Sequence, residues 1–362
     1  MYTPKYLRIL IFVGFLVLFF QHSQSATRTA SVSGNWSNTA TWGGQPVPTA
    51  ADDVIIGNGV NVTVDIANAY CLSLTFNGGN ANSYVTIGNN NLTVGGDITI
   101  NAPTANNINK YISIAGGSLT AASVTMATTG RNTRDCYITV GDGIVNISNN
   151  ITMNGTADRN HIDFTGAGNL YIQGNLTGGG LSQTAGAGST VYFNAAGDQT
   201  MTPAAANNYN FYILRIQNSG TKSLGQAITV RNLSIEGSAT LNCNQYQITG
   251  NAAGTMTMAA GTSLILGNPA VATAVTFPTN YTAANISLDV ASTVVYSANA
   301  NQTVSGVPTY GNLTITTGNA ATTKTLGAAT VVNGDLNITG TTVVATLQLA
   351  GNNFAINGNT YI

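Results

Sequence analysis

Tyr84-Val85-Thr86-Ile87 returns as Tyr111-Ile112-Ser113-Ile114, as Tyr137-Ile138-Thr139-Val140 and as His161-Ile162-Asp163-Phe164. Measured on the last residue of each copy, the steps are 27, 26 and 24 residues. Such steps are too long for a hairpin register and suit one coil of a solenoid, so the repeat is the unit of structure. Alternation at period two places Val85/Ile87, Ile112/Ile114, Ile138/Val140 and Ile162/Phe164 on one buried face. A second strand follows in each coil as Leu92/Val94, Leu119/Ala121, Val145/Ile147 and Leu170/Ile172. A third follows as Ile98/Ile100, Val124/Met126, Ile151/Met153 and Leu176. No inward position of this block is expected to carry charge.

Composition agrees with many short strands joined by tight turns. Only 6% of the 362 residues are charged and 41 are glycine, against roughly a quarter charged in an average globular chain. Before the block, Val54/Ile56, Val60/Val62/Val64 and Leu72/Leu74/Phe76 alternate as strands with one buried face do. The segment from about Ala26 to Gly79 holds both tryptophans, Trp36 and Trp42. A solenoid needs an atypical terminal coil to cover core and strand edges, and these two rings suit it.

The first residues differ in kind. Lys5 and Arg8 precede an apolar run from Ile9 to Phe20, and Ser23-Gln24-Ser25-Ala26 offers small residues for cleavage. This is the pattern of a secretory signal peptide over 1–25, and the run is shorter than the roughly 20 residues a bilayer requires. Without Lys5 and Arg8, 9 of the 11 basic residues remain against 12 acidic ones, a net charge of −3. So weak a field argues against a nucleic-acid partner. Cys71, Cys136 and Cys243 form no CxxC, and His161 is the only histidine after the signal. That leaves little for a zinc site; Cys136 and Cys243 read as small buried hydrophobes.

Gly34-Asn35-Trp36-Ser37, Thr41-Trp42-Gly43-Gly44, Pro48, Asp52-Asp53-Val54-Ile55-Ile56 and Val60-Asn61-Val62-Thr63-Val64-Asp65 resemble the opening of secreted repeat proteins of Bacteroidota, and more loosely G8-type domains. The later Asn-Leu-Thr-Ile and Gly-Asp-Leu-Asn-Ile phrases look like the repeats that follow in those surface proteins. The resemblance implies a β-solenoid surface protein, often adhesive, without established chemistry. The sorting domain with which such proteins commonly end is not visible here.

After Gly178-Gly179-Gly180 the period breaks, and a longer unit begins. Ser189-Thr190-Val191-Tyr192, Asp198-Gln199-Thr200-Met201, Thr221-Lys222-Ser223-Leu224 and Asn232-Leu233-Ser234-Ile235 are answered by Ser292-Thr293-Val294-Val295-Tyr296, Asn301-Gln302-Thr303-Val304, Thr323-Lys324-Thr325-Leu326 and Asp335-Leu336-Asn337-Ile338. Ser189 to Ser292 spans 103 residues, as does Leu233 to Leu336. This is a tandem superrepeat of several coils. Tyr246–Asn251 matches Phe354–Asn359, after which the second copy holds only Thr360-Tyr361-Ile362. Two expectations follow: a longer parent protein, or an end coil covered by another molecule in head-to-tail self-association.

Candidate sites are few. The outward column Tyr84, Tyr111, Tyr137 and His161 could stack against sugar rings, or serve only as a ladder between coils. Arg131, Arg134, Asp135, Asp158, Arg159, His161 and Asp163 gather charge. Repeat alignment puts Arg134 over Asp158 and Asp135 over Arg159, a surface ion-pair ladder. Catalysis on a glycan needs two or three carboxylates held together. Glu236 is the only glutamate, Asp97, Asp142, Asp198, Asp289 and Asp335 stand alone, and alternation points Asp52 and Asp53 to opposite faces. Gly141-Asp142-Gly143 reads as a tight turn rather than a calcium loop. Hydroxyl rows Thr86/Ser113/Thr139 and Thr93/Thr120 could meet a crystal surface such as ice, but break at Asp163 and Asn146.

These observations predict an all-β, right-handed parallel β-solenoid (β-helix) with an N-terminal cap. Its segments are a signal peptide (1–25), cap and first strands (26–80), short-period coils (81–180) and two superrepeats (181–282 and 283–362, the second incomplete). The expected role is that of a secreted or cell-surface structural or adhesion protein without catalysis, cofactor or metal. Its expected partners are surface glycans or other cell-surface proteins.

Overall fold

The computed structural model describes residues 25–127, 133–184, 187–340 and 343–362. The signal-peptide reading falls on residues outside these, apart from Ser25. The chain is a parallel β-solenoid of about 14 turns, with essentially no helix among the described residues. Each coil of the regular block has three strands, typified by Ser83–Ile87 on the first face, Asn91–Val94 on the second and Asp97–Ile100 on the third. The expected registers hold residue for residue: Tyr84, Tyr111, Tyr137 and His161 pair in one column. The inward Val, Ile, Leu, Met and Phe positions of the block are all buried. Each stabilises the stack by roughly 1.5 to 3 kcal/mol through loss of apolar surface to water.

The first coil is the cap. Thr27–Ala30 and Gly34–Asn35 pair with the coil above, and the 3₁₀ turn Thr39–Trp42 stands where a second-face strand would be. Trp36 and Trp42 meet edge to face at 5.1 Å, and the Trp42 indole N–H donates to the Trp36 carbonyl. Both rings are buried.

Three expectations need correction. Leu72 is 40% exposed: it occupies the corner between Asn68–Cys71 and Ser73–Phe76, where turning to a new face resets the alternation. The block does contain an inward charge, Lys110, which is wholly buried and donates to Asn58 Oδ1, the Ala81 carbonyl and Ser83 Oγ. Corner carbonyls turned inward have no strand partner, and an ammonium with three donors satisfies them.

The third correction concerns the glycine run. Gly178-Gly179-Gly180 does not interrupt the stack but lies within the strand Leu176–Ser182. Met153, Thr156 and His161 pair with Gly178, Gly179 and Gly180 in turn, so seven residues of one coil lie against a single residue of the next. The corner between third and first faces therefore loses its loop here, and that loss is what shortens the period.

The superrepeat is real in pairing but rotated in space. Thr190–Phe193 opens the first copy on the second face, whereas Thr293–Tyr296 opens the second copy on the third. The 103 residues thus advance the chain by four coils and one further face. Within each copy the interior device is the same. Gln199 pairs with Lys222 and Gln302 with Lys324 on successive coils. Each glutamine accepts from an alanine N–H, of Ala195 or Ala298, and each lysine donates to that same alanine's carbonyl. Packing therefore travels with the repeat, while the face on which it sits does not.

Candidate functional site

The aromatic column is a ring stack. Centroids lie 4.9 Å apart for Tyr84–Tyr111, 4.7 Å for Tyr111–Tyr137 and 4.9 Å for Tyr137–His161, with interplanar angles of 22°, 3° and 6°. Rung spacing in a parallel sheet is about 4.8 Å, so identical register brings the rings face to face. All four side chains are half-buried. Their faces cover one another and mainly their edges meet solvent, so the strip between Tyr84 and His161 cannot offer ring faces to a sugar. Burial, then the neighbouring Tyr84, pushes the Tyr111 hydroxyl up. At Tyr137, burial followed by Tyr111, Asp135 and Asp163 pushes the hydroxyl to about 12.

The charges beside the column follow the ladder in part. Arg159 pairs with Asp135 at 2.9 Å, as repeat alignment expects. The expected Arg134–Asp158 pair does not form. Arg134 instead donates to Asn106 Oδ1 at 3.2 Å and toward the Pro103 carbonyl, both supplied by the wide corner loop of the coil beneath. Arg131 lies outside the described residues. His161 Nε2 sits 3.3 Å from Asp163 Oδ2 on its own strand.

Above His161 the column stops. Its register partner is Gly180, and the strand pairing beyond carries Gly180 on to Asn208. A pocket of about 290 Å³ opens there, lined by Asp158, His161, Asp163, Gly180, Ser182 and Asn208. A side chain at residue 180 would place its Cβ 2.9 Å from that of Ala157, so the excursion around 154–160 keeps this rung bare.

Other predicted groups stand apart. Asp52 is buried and accepts from Thr49, with Arg28 3.4 Å away, whereas Asp53 accepts from Ser25 and Ser73 on the outer surface. Burial would raise the Asp52 carboxyl, but the Thr49 bonds and the Arg28 charge outweigh it and hold it below the usual range. Hydrogen bonds from Ser25 and Ser73 likewise lower that of Asp53. Asp142 accepts the Ala167 N–H of the next coil, a turn-to-turn tie. The three cysteines are free and buried.

Two columns escaped the sequence reading. Tyr171 and Tyr192 stack at 4.3 Å, Arg215 lies 6.0 Å over the Tyr192 ring, and Glu236 gathers Arg215, Gln217 and Ser234. The shared phrase in Asn169-Leu170-Tyr171-Ile172 and Thr190-Val191-Tyr192-Phe193 signals this pair, but it straddles the glycine run where the period changes. On the third face Thr75, Thr99, Thr125, Thr152, Thr177 and Thr202 form an unbroken row in register. Counting back from each third-face strand would have found it. The weighed rows Thr86/Ser113/Thr139 and Thr93/Thr120 do meet Asp163 and Asn146.

No protein-family model, curated protein or solved structure matches this chain.

Proposed function

We propose that this chain is a non-catalytic structural or adhesive protein, exported to the cell surface or beyond, of the kind found among the Bacteroidota repeat proteins whose opening it resembles. The observation that supports this reading is how the reactive side chains are engaged. Asp135 with Arg159, His161 with Asp163, Arg215 with Glu236 and the four stacked rings all tie a coil to itself or to its neighbour. Groups committed to neighbouring rungs hold a rod straight and are poorly placed to transfer protons. The rod itself is a weakly charged surface of hydroxyl and amide groups, suited to contact with surface glycans or other surface proteins.

The test is an incubation of the purified protein with a panel of bacterial and host polysaccharides, followed by product analysis. Intact polysaccharide throughout is the expected result. Cleavage or modification that disappears in Asp158→Ala or Asp163→Ala would overturn the non-catalytic reading.

A further inference from the structure

The ring column ends at His161 beneath a pocket rather than beneath a fifth ring. Tyr84, Tyr111, Tyr137 and His161 repeat at 4.7 to 4.9 Å, and the fifth place belongs to Gly180, which contributes no side chain. One coil further on, Asn208 stands over the same column. The pocket of about 290 Å³ between His161 and Asn208 is large enough for one six-membered ring over the imidazole. Ala157 occupies the place that a Cβ at residue 180 would take and itself lines the pocket, so this rung carries no side chain of its own. The upper face of His161 opens into this pocket.

The walls define what would enter. Asp158 and Asp163 flank the slot, with Ser182 and Asn208 above. Carboxylate, hydroxyl and amide groups around an aromatic floor match a molecule with an apolar face and a rim of hydroxyls. Two carboxylates discourage an anionic ligand, and the nearby Arg159 is already paired with Asp135. We infer that this pocket binds a neutral pyranose, stacked on His161 beside Ala157. Asp158 and Asp163 accept its hydroxyl protons. The inference deepens the adhesive reading above and moves the contact from the column's edges to its open end.

Saturation-transfer NMR with the full chain and a panel of neutral methyl pyranosides tests it, with glucuronate and phenol as comparators. The expected result is transfer to the C–H protons of one sugar face, and none to glucuronate. His161→Ala should weaken binding roughly tenfold, the loss that follows from removing an aromatic platform. Ser182→Trp, which fills the slot from the next coil without touching the ladder, should abolish binding. Tyr84→Ala, three rungs away, should leave the affinity within about twofold. Circular dichroism of each variant checks that the coil persists. The inference is overturned if no pyranoside is saturated, if His161→Ala and Ser182→Trp both bind as the parent does, or if phenol binds and the sugars do not. Sugar binding followed by cleavage would leave the site standing and sink the non-catalytic reading. No binding and no cleavage would do the reverse.

Discussion

At the scale of single residues, the outward tyrosines stabilise the coil through each other. Tyr111 is in ring contact with both Tyr84 and Tyr137, so Tyr111→Ala removes two stacked pairs and should cost about 1 to 3 kcal/mol. Tyr111→Phe keeps both rings in contact and should unfold within a degree or two of the parent in a thermal melt. An equal loss in the two variants would show that the hydroxyl, not the stack, carries the effect. The buried thiols set a second expectation. Burial pushes Cys71, Cys136 and Cys243 up to about 12. A raised thiol leaves the folded protein with protons the unfolded chain gives up near pH 8.5. Stability is therefore complete below that pH and declines as pH rises toward 12. Burial lowers Lys324 to about 8, which works the other way: the unfolded chain holds that proton until about pH 10.4, so this group adds stability between the two values. Burial lowers Lys110 and Lys222 in the same sense, so three lysines oppose three thiols as pH rises. Between pH 8 and 10 a Cys71→Ala, Cys136→Ala, Cys243→Ala variant should therefore lose less stability, or gain more, than the parent, and thermal melts of the two across that range measure the difference.

At the scale of elements, the corners decide where the regular coil changes. Gly178 has a φ of +75°, and a Cβ there would lie 1.8 Å from the Met153 carbonyl oxygen. The left-handed backbone and the close approach both require glycine. Gly178→Ala should cost more than about 2 kcal/mol, whereas Gly88→Ala, with open space around its Cβ, should stay within about 0.5 kcal/mol. Denaturant melts of the two variants measure the difference. Comparable losses would mean that the corner can relax into a loop like the one at 154–160. The same missing loop creates the bare rung above His161, so one tight turn both shortens the period and opens the slot.

At the scale of the whole molecule, about 14 turns at about 4.8 Å give a rod roughly 65 Å long. The superrepeat adds four coils and one face, and its strands pair among themselves in the same way in both copies. Removing residues 189–291 brings Ser292 after Gly188 and sets the second copy on the face where the first began. The shortened chain should fold with a rod about 20 Å shorter, readable by small-angle scattering. An unfolded product would show that the copies are locked to their own faces by contacts beyond nearest-neighbour coils.

Much of this architecture was legible in the sequence. Alternation at period two and returns every 24 to 27 residues settle which side chains point inward and which stack, because a one-residue slip would expose a whole buried row. The ring column and the Asp135–Arg159 pair followed from that register, and the tryptophan cap from the need of a solenoid to cover its end. Tertiary structure decided what register cannot express. Leu72 turned outward because a corner resets the alternation, whereas Lys110, Lys222 and Lys324 keep the inward phase of their strands because inward-turned carbonyls there need donors. The glycine run read as a break and proved to be a strand, since only neighbouring coils show which corner has lost its loop. The column of Tyr84, Tyr111, Tyr137 and His161 reads in the sequence either as a surface of ring faces or as a ladder between coils, and the stacked geometry makes it the ladder. Stacking covers the faces between Tyr84 and His161, and the rung at Gly180 leaves the far face of His161 open to the pocket.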